Sequence, residues 1–181
     1  MIPKKIALIG FMGSGKTSVG EKLAERLGYA VSDTDCMVET AAGMSISEIF
    51  SIEGEEGFRS REEAALEFAS SMPVAVGSGA LVLACGGGIV LSVKNRNVLA
   101  ANFLSVWLDI PFKEIMRRLE SQRATRPLLA GGEYERRALA LYTTRQELYE
   151  SCADLRYRWV EGETLERTVD RILADIALLS P

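Results

Sequence analysis

The 181 residues predict an α/β fold of three layers, in which helices cover both faces of a five-stranded parallel sheet. Three observations carry this. Short apolar runs alternate along the chain with longer segments whose apolar residues recur at helical spacing. The first run, Ile6 to Ile9, ends in a glycine-rich turn that leads straight into such a segment. The chain is 48% apolar and shows no repeat, low-complexity tract or interdomain linker, which fits one domain over residues 1–181.

Taken in order, Ile6 to Ile9 reads as a strand and Gly10-Phe11-Met12-Gly13-Ser14-Gly15 as a tight loop. From Thr17, the residues Val19, Leu23 and Leu27 recur at helical spacing until Gly28 supplies a C-cap. Tyr29 to Ser32 reads as a second strand running into Asp33-Thr34-Asp35. Ser45-Ile46-Ser47-Glu48 has the spacing of a capping box and opens a short helix that closes near Gly54, with a longer helix over about Glu56 to Ser70. Leu81 to Ala84 is the most apolar strand and ends at Cys85-Gly86-Gly87-Gly88. Ser92 caps a helix carrying Val93, Val98 and Leu99, and Phe103 to Leu108 is the fourth strand. Pro111 suits a first helical turn, and that helix runs to about Ser121. Residues Gln122 to Glu133 then break the pattern with Pro127, Gly131 and Gly132 while keeping Arg123 and Arg126, the composition of a mobile basic loop and hence of a lid over about 122–133. A helix over Tyr134 to Ser151, a strand near Leu155 to Val160, and a helix with Leu165, Val169, Ile172, Ile176 and Leu179 on one face complete the chain.

Composition excludes several kinds of function. With 21 Lys+Arg against 25 Asp+Glu the formal charge is 21 − 25 = −4, which does not favour wholesale nucleic-acid binding, since phosphate neutralisation supplies most of that affinity. There is no histidine, so imidazole bases, His-based triads and Cys₂His₂ zinc sites are all ruled out. Cys36, Cys85 and Cys152 are few, odd in number and far apart, which points away from a disulfide framework and towards a reducing cytoplasm. No apolar run reaches the roughly 18 residues of a membrane span, and no signal peptide is recognisable.

Gly10-Phe11-Met12-Gly13-Ser14-Gly15-Lys16-Thr17 satisfies the phosphate-loop pattern G-x-x-x-x-G-K-[ST]. Its glycines let backbone N–H groups turn inward, the helix N-terminus favours anionic oxygen, Lys16 reaches the outer phosphates and Thr17 offers a hydroxyl to Mg²⁺. Asp33 and Asp35 end the second strand, spaced so that an extended backbone points both the same way, at the sheet end where open α/β folds bind ligands. One of them suits Mg²⁺ held through water and the other a substrate hydroxyl, although a turn cap is an equal alternative for an isolated Asp-x-Asp. Arg59, Arg126 and Arg145 are candidate clamps for carboxylate or phosphate, against the common fate of arginine as solvated surface. Gly86-Gly87-Gly88 permits close approach of a small ligand to backbone N–H groups, or serves only as a flexible connection.

These pieces, read with Ser45-Ile46-Ser47-Glu48-Ile49-Phe50, Gly54-Glu55-Glu56-Gly57-Phe58-Arg59, Glu62, Asn95-Arg96, Arg126-Pro127-Leu128-Leu129 and Leu148-Tyr149, resemble the shikimate kinase family along nearly the whole chain. The resemblance implies a phosphate-loop kinase fold with a mobile lid, a substrate-binding region over about 33–62, and transfer of the γ-phosphate of ATP to the 3-hydroxyl of shikimate on the route to aromatic amino acids. It implies that Gly13, Ser14, Gly15, Lys16, Thr17 and Ser18 hold the ATP phosphates, that Lys16 and Arg126 steady the moving phosphoryl group, and that Thr17 binds Mg²⁺ with Asp33 behind a water. Asp35 is then the residue that binds substrate hydroxyls and accepts the proton; Arg59 and Arg145 grip the shikimate carboxylate beside Gly86, Gly87 and Gly88, and Glu62 holds Arg59 in place. Arg118 and the Glu161-Gly162-Glu163 loop fall near the nucleobase by position, and a monomer is expected. Two departures stand out: Cys85 occupies a position where a hydroxyl residue is expected, and Ser70 to Gly79 is longer and looser than the family's turn. A gluconate or nucleoside monophosphate kinase, or a nucleotide-binding module without turnover, remains the competing reading.

Overall fold

The computed structural model describes residues 2–73, 80–121 and 132–179. Its five strands are β1 (Lys5–Ile9), β2 (Ala30–Asp33), β3 (Leu81–Ala84), β4 (Leu104–Asp109) and β5 (Leu155–Arg158), paired in parallel throughout in the order β2-β3-β1-β4-β5. Ile6 to Ile9 have no accessible surface, because β1 lies at the centre of the sheet with a helical layer on each face. Such strands read as unbroken apolar runs, whereas the edge strand β2 leaves Ala30 and Val31 exposed.

The helices are α1 (Lys16–Leu27), α2 (Thr34–Ala42), α3 (Ile46–Ser71), α4 (Val93–Asn102), α5 (Phe112–Ser121), α6 (Gly132–Cys152) and α7 (Leu165–Leu178), with a 3₁₀ turn at Ile89–Leu91. α1 packs with α7, while α4 packs with α3 and α6, giving the two helical layers. The main core gathers β1, β3 and β4 with Leu23, Leu66, Leu99, Ile115, Tyr149 and Ile172. A second, smaller core of Val38, Ile49, Phe58 and Ala65 joins α2 to α3. Among the described residues no helix is long and apolar enough to cross a membrane.

Most sequence expectations hold within a residue or two. The capping box at Ser45 forms, with the Ser45 side chain accepting from Glu48 N–H and the Glu48 carboxylate accepting from Ser45 N–H at 2.8 Å. The expected break at Gly54 is a kink: the helix continues to Ser71, but Gly54 sits at φ 72°, ψ −171°, a conformation in which a side chain is strained. α2 was not expected, since Cys36, Met37 and Val38 give too short an apolar pattern to mark a helix. On the last helix the predicted apolar face narrows to Val169, Ile172 and Ile176, while Leu165 and Leu179 at the ends are exposed. The 70–79 segment and the predicted lid fall mostly outside the described residues, apart from Ser70 and Ser71 at the end of α3, Met72, Pro73, and Gly132 and Glu133 at the start of α6.

The connections leaving β1 and β3 run in opposite directions along the sheet, β1 leading towards β2 and β3 across to β4. A crevice opens beyond the carboxyl ends of two such strands. Residues 10–15 follow β1 and residues 85–88 follow β3, so the topology brings the two glycine-rich segments together.

Candidate active site

A cavity of about 780 Å³ occupies that crevice, lined by Gly13 to Ser18, Asp33, Asp35 and Cys85 to Gly87, and by Arg117, Arg118 and Trp159 at its far end. At its floor the loop after β1 turns through Gly10, Gly13 and Gly15, all at positive φ, and delivers Gly15 as the N-cap of α1. The N–H groups at the start of α1 therefore face the cavity with the positive end of the helix dipole behind them. Lys16 Nζ donates to the carbonyl oxygens of Gly10 at 2.8 Å and Phe11 at 2.9 Å. Burial lowers its pKa to about 8, and the nearby Asp35 carboxylate opposes the shift. At the other end of the loop, Arg118 donates to the Ser14 carbonyl at 3.2 Å and to Glu114, whose carboxyl is held down at about 2 by its hydrogen bonds to Arg117 and Arg118.

Asp33 ends β2 and caps α2: its Oδ1 accepts from Asp35 N–H at 2.9 Å, while its Oδ2 accepts from Thr17 Oγ1 at 3.1 Å. The turn-capping reading and the ligand-facing reading are thus both true of one side chain. The extended spacing expected for the two aspartates does not occur, because Asp35 lies in the first turn of α2. Both still reach the cavity. Burial, and then the neighbouring Asp33, raise the Asp35 carboxyl above the usual aspartate range. Thr17 and Asp33 present only hard oxygen atoms, the donors Mg²⁺ selects. Among the described residues no three acidic or cysteine side chains form a cage, so this pair suits an ion that takes its other ligands from phosphate and water.

Beyond β3, two of the three glycines are crowded by side chains. A Cβ on Gly86 would lie 2.6 Å from Asp35 Oδ1 and 2.9 Å from Glu62 Oε1, and one on Gly88 would lie 2.2 Å from Arg59 Nη1. Side-chain ends converge on this backbone, so a larger residue at Gly86 or Gly88 would have to displace them. Gly86 N–H donates to Thr34 Oγ1 at 2.8 Å, so that donor is occupied. Arg59 is held by Glu62 at 2.7 Å, as its i+3 spacing predicts, and more loosely by Glu55. Glu62 is almost wholly buried, which raises its pKa against the pull of Arg59, and its Oε1 has no hydrogen-bond partner. From α6, Arg145 Nη1 donates to the Gly87 carbonyl at 3.1 Å; the residue is 7% exposed and its Nε has no partner.

The structure therefore brings together Lys16, Thr17, Asp33, Asp35, Arg59, Glu62, the three glycines and Arg145, and places Arg118 at the far end of the cavity. Arg126 lies outside the described residues. Of the loop Glu161 to Glu163, only Glu163 lines the cavity, and it is occupied by Tyr157, Thr168 and Arg171. Sequence reasoning missed Thr34, Arg117, Trp159 and the role of Tyr149. Thr34 carried a signal in standing between two singled-out aspartates, whereas Trp159 and Arg117 carried none.

Comparison with known proteins bears on what this cavity holds. The family model described as shikimate kinase matches residues 12–177. The shikimate kinase of Synechococcus elongatus is 43% identical over 166 residues, covering 92% of this chain and 83% of that protein. That of Gloeobacter violaceus is 42% identical over 176 residues, with 94% and 95% covered. A solved structure of shikimate kinase from Acinetobacter baumannii in complex with shikimate matches with a TM-score of 0.85 at 34% identity, over 99% of this chain and 96% of that one. A gluconokinase from Sinorhizobium meliloti matches with a TM-score of 0.61 at 17% identity, over 99% and 94%, and shares the fold alone.

Proposed function

The chain belongs to the shikimate kinase family and is an ATP:shikimate phosphotransferase, and from that premise we propose how its own residues carry the transfer. The observation that supports the assignment is a cavity that joins a phosphate loop carrying Lys16 to Asp35 and the bare backbone of Gly86 and Gly87, with Arg145 and Arg59 held against the glycines beside it. A small acceptor carrying one carboxylate and several hydroxyls fits the glycine end.

In this proposal the N–H groups of Gly13, Gly15, Lys16, Thr17 and Ser18 bind the phosphates of ATP, Ser14 closes the loop by donating its N–H to the Phe11 carbonyl at 3.2 Å, and the Lys16 side chain exchanges its two carbonyl partners for phosphate oxygens. Arg118 lies towards the nucleobase. Arg59 and Arg145 bind the shikimate carboxylate, which fixes the ring so that its 3-hydroxyl meets Asp35. As the hydroxyl oxygen attacks the γ-phosphorus, the bond to the β-phosphate oxygen breaks and ADP leaves; the hydroxyl proton passes to the Asp35 carboxylate. Such a transfer depends chiefly on positioning and charge neutralisation, so an aspartate is base enough and histidine is not required. Thr17 and Asp33 would hold Mg²⁺, which when bound supplies neutralising charge to the phosphate oxygens. Arg126 is assigned the same neutralising role on family resemblance. We further propose one domain over 1–181, with a substrate region at about 33–62 and a lid at about 122–133, acting as a cytoplasmic monomer.

The test is ADP release measured with shikimate, gluconate and nucleoside monophosphates as alternative acceptors. Turnover with shikimate alone is expected, and none with shikimate would overturn the reading. Arg126→Ala is expected to lower kcat by about 10³-fold or more while leaving shikimate binding intact.

A further inference from the structure

The Gly87 carbonyl accepts two hydrogen bonds from one helix. Arg145 Nη1 donates to it at 3.1 Å, and Tyr149 Oη, one helical turn further along α6, donates at 2.6 Å. Residues spaced i, i+4 share a helix face, so the two donors form a pair aimed at one oxygen. Tyr149 has no accessible surface, and its ring stacks on Trp107 of β4 with centroids 6.0 Å apart and planes 27° apart. Burial pushes its hydroxyl pKa up to about 12, so it stays a neutral donor at any working pH.

Two consequences follow from geometry. The Gly87–Gly88 peptide is trans, so fixing the Gly87 carbonyl towards α6 sends the Gly88 N–H the opposite way, away from α6. Among the described residues no acceptor takes the N–H of Gly87 or Gly88, so both stay free for a ligand while Gly86 N–H is tied to Thr34. Glycines resist such fixing by themselves, because nothing restricts their dihedrals. In addition, the shorter Tyr149 bond satisfies the carbonyl, so the buried Arg145 rests on that oxygen without being its sole partner. Its unpartnered Nε is then available to a carboxylate.

We propose that Tyr149 is a positioning residue for the acceptor subsite: by holding the Gly87 carbonyl it sets the Gly87–Gly88 peptide plane and the orientation of Arg145. This rests on the assignment of that subsite to shikimate. It concerns a residue that touches neither substrate, and it separates Tyr149 from a tyrosine that only fills the core.

The experiment is steady-state kinetics of Tyr149→Phe, which keeps the ring and its stacking, with KM measured separately for ATP and shikimate. The expected result is a KM for shikimate raised about five- to tenfold, the factor of one net hydrogen bond, with kcat and the KM for ATP within about twofold. In an Arg145→Ala background the same substitution is expected to have a smaller effect, because the part that acts through that side chain is already lost. Trp107→Phe, which weakens the stacking but keeps the hydroxyl, is expected to lower Tm without a selective change in shikimate KM. An unchanged shikimate KM, equal changes for both substrates, full additivity with Arg145→Ala, or failure of Tyr149→Phe to fold would each overturn the proposal. Wild-type turnover of shikimate in the same assay keeps a failure here distinct from a failure of the functional assignment.

Discussion

Nucleotide binding should take up protons at alkaline pH, and the amount follows from one side chain. Lys16 Nζ is buried against the carbonyls of Gly10 and Phe11, and burial brings its pKa down to about 8 in the free protein. Burial disfavours the charged form; phosphate oxygens favour it strongly, returning the pKa to at least its ordinary range near 10.5. The complex therefore holds a proton that part of the free population lacks. With a free pKa of about 8, that part is roughly a half at pH 8 and nine tenths at pH 9, so uptake should be about 0.5 and about 0.9 proton per ATP. By the same linkage the Kd for ATP should rise about fivefold from pH 8 to pH 9. Neighbouring groups do not confuse the reading: burial raises the Cys85 thiol well above this window, and Tyr149 titrates at about 12. The γ-phosphate of free ATP is already deprotonated at both pH values. Isothermal titration of ATP without shikimate, in buffers of different ionisation enthalpy, gives the proton number directly. Absence of uptake at pH 9, or the same uptake in Lys16→Met, would refute the argument.

Four further outcomes are expected. Asp35→Asn should lower kcat by about 10²- to 10⁴-fold. It should also abolish the acid limb of kcat/KM, because the wild-type carboxyl must lose its proton and its raised pKa moves that limb above the ordinary aspartate range; a pH profile unchanged in the variant would remove Asp35 from the base role. Arg59→Ala should raise the KM for shikimate about 10- to 100-fold, the cost of one charge-assisted pair, with ATP kinetics preserved. Gly88→Ala should act in the same direction through displacement of the Arg59 guanidinium, and equal KM values for wild type and Gly88→Ala would contradict the crowding at that point. Gly54→Ala should cost about 1–3 kcal/mol, because nothing crowds a methyl there and the penalty is purely that of its backbone conformation; thermal denaturation showing no loss would mean that the kink relaxes.

What the residues disclosed before the structure depended on how local the determinant was. The phosphate loop was legible because Gly10 to Thr17 are consecutive and their dihedrals follow from glycine placement. The capping box at Ser45 and the pairing of Arg59 with Glu62 were legible because three-residue spacing on a helix is itself a contact. Asp33 and Asp35 were found for an incorrect geometric reason: an unrecognised helix starts between them, and capping by Asp33 orients the pair where strand alternation was expected to. Contacts between distant segments left no such trace. Gly86 meets Thr34 across 52 residues and Gly87 meets Tyr149 across 62, and only the parallel order of β2, β3 and β4 brings those segments together.

That long-range layer accounts for how the site holds its shape between turnovers. Lys16 lines the cavity and Arg59 and Arg145 are held against the glycines that follow β3, where like charges would drive them apart, and each is restrained by a group of the protein itself. Lys16 rests on two backbone carbonyls, Arg59 on Glu62, and Arg145 on the Gly87 carbonyl that Tyr149 also holds. Carbonyl partners are weak competitors for a cation, so phosphate and carboxylate displace them readily. Glu62 is a strong competitor, but its buried carboxylate keeps one oxygen unpaired, so it can retain Arg59 by a single oxygen while the guanidinium turns its other edge to the substrate. An anionic substrate thus enters a cavity whose cations are already placed, and the ordering entropy has been met during folding. Replacing Glu62 by Gln should for that reason impair shikimate binding more than it destabilises the fold: the amide preserves volume and one hydrogen bond but no longer fixes a charge.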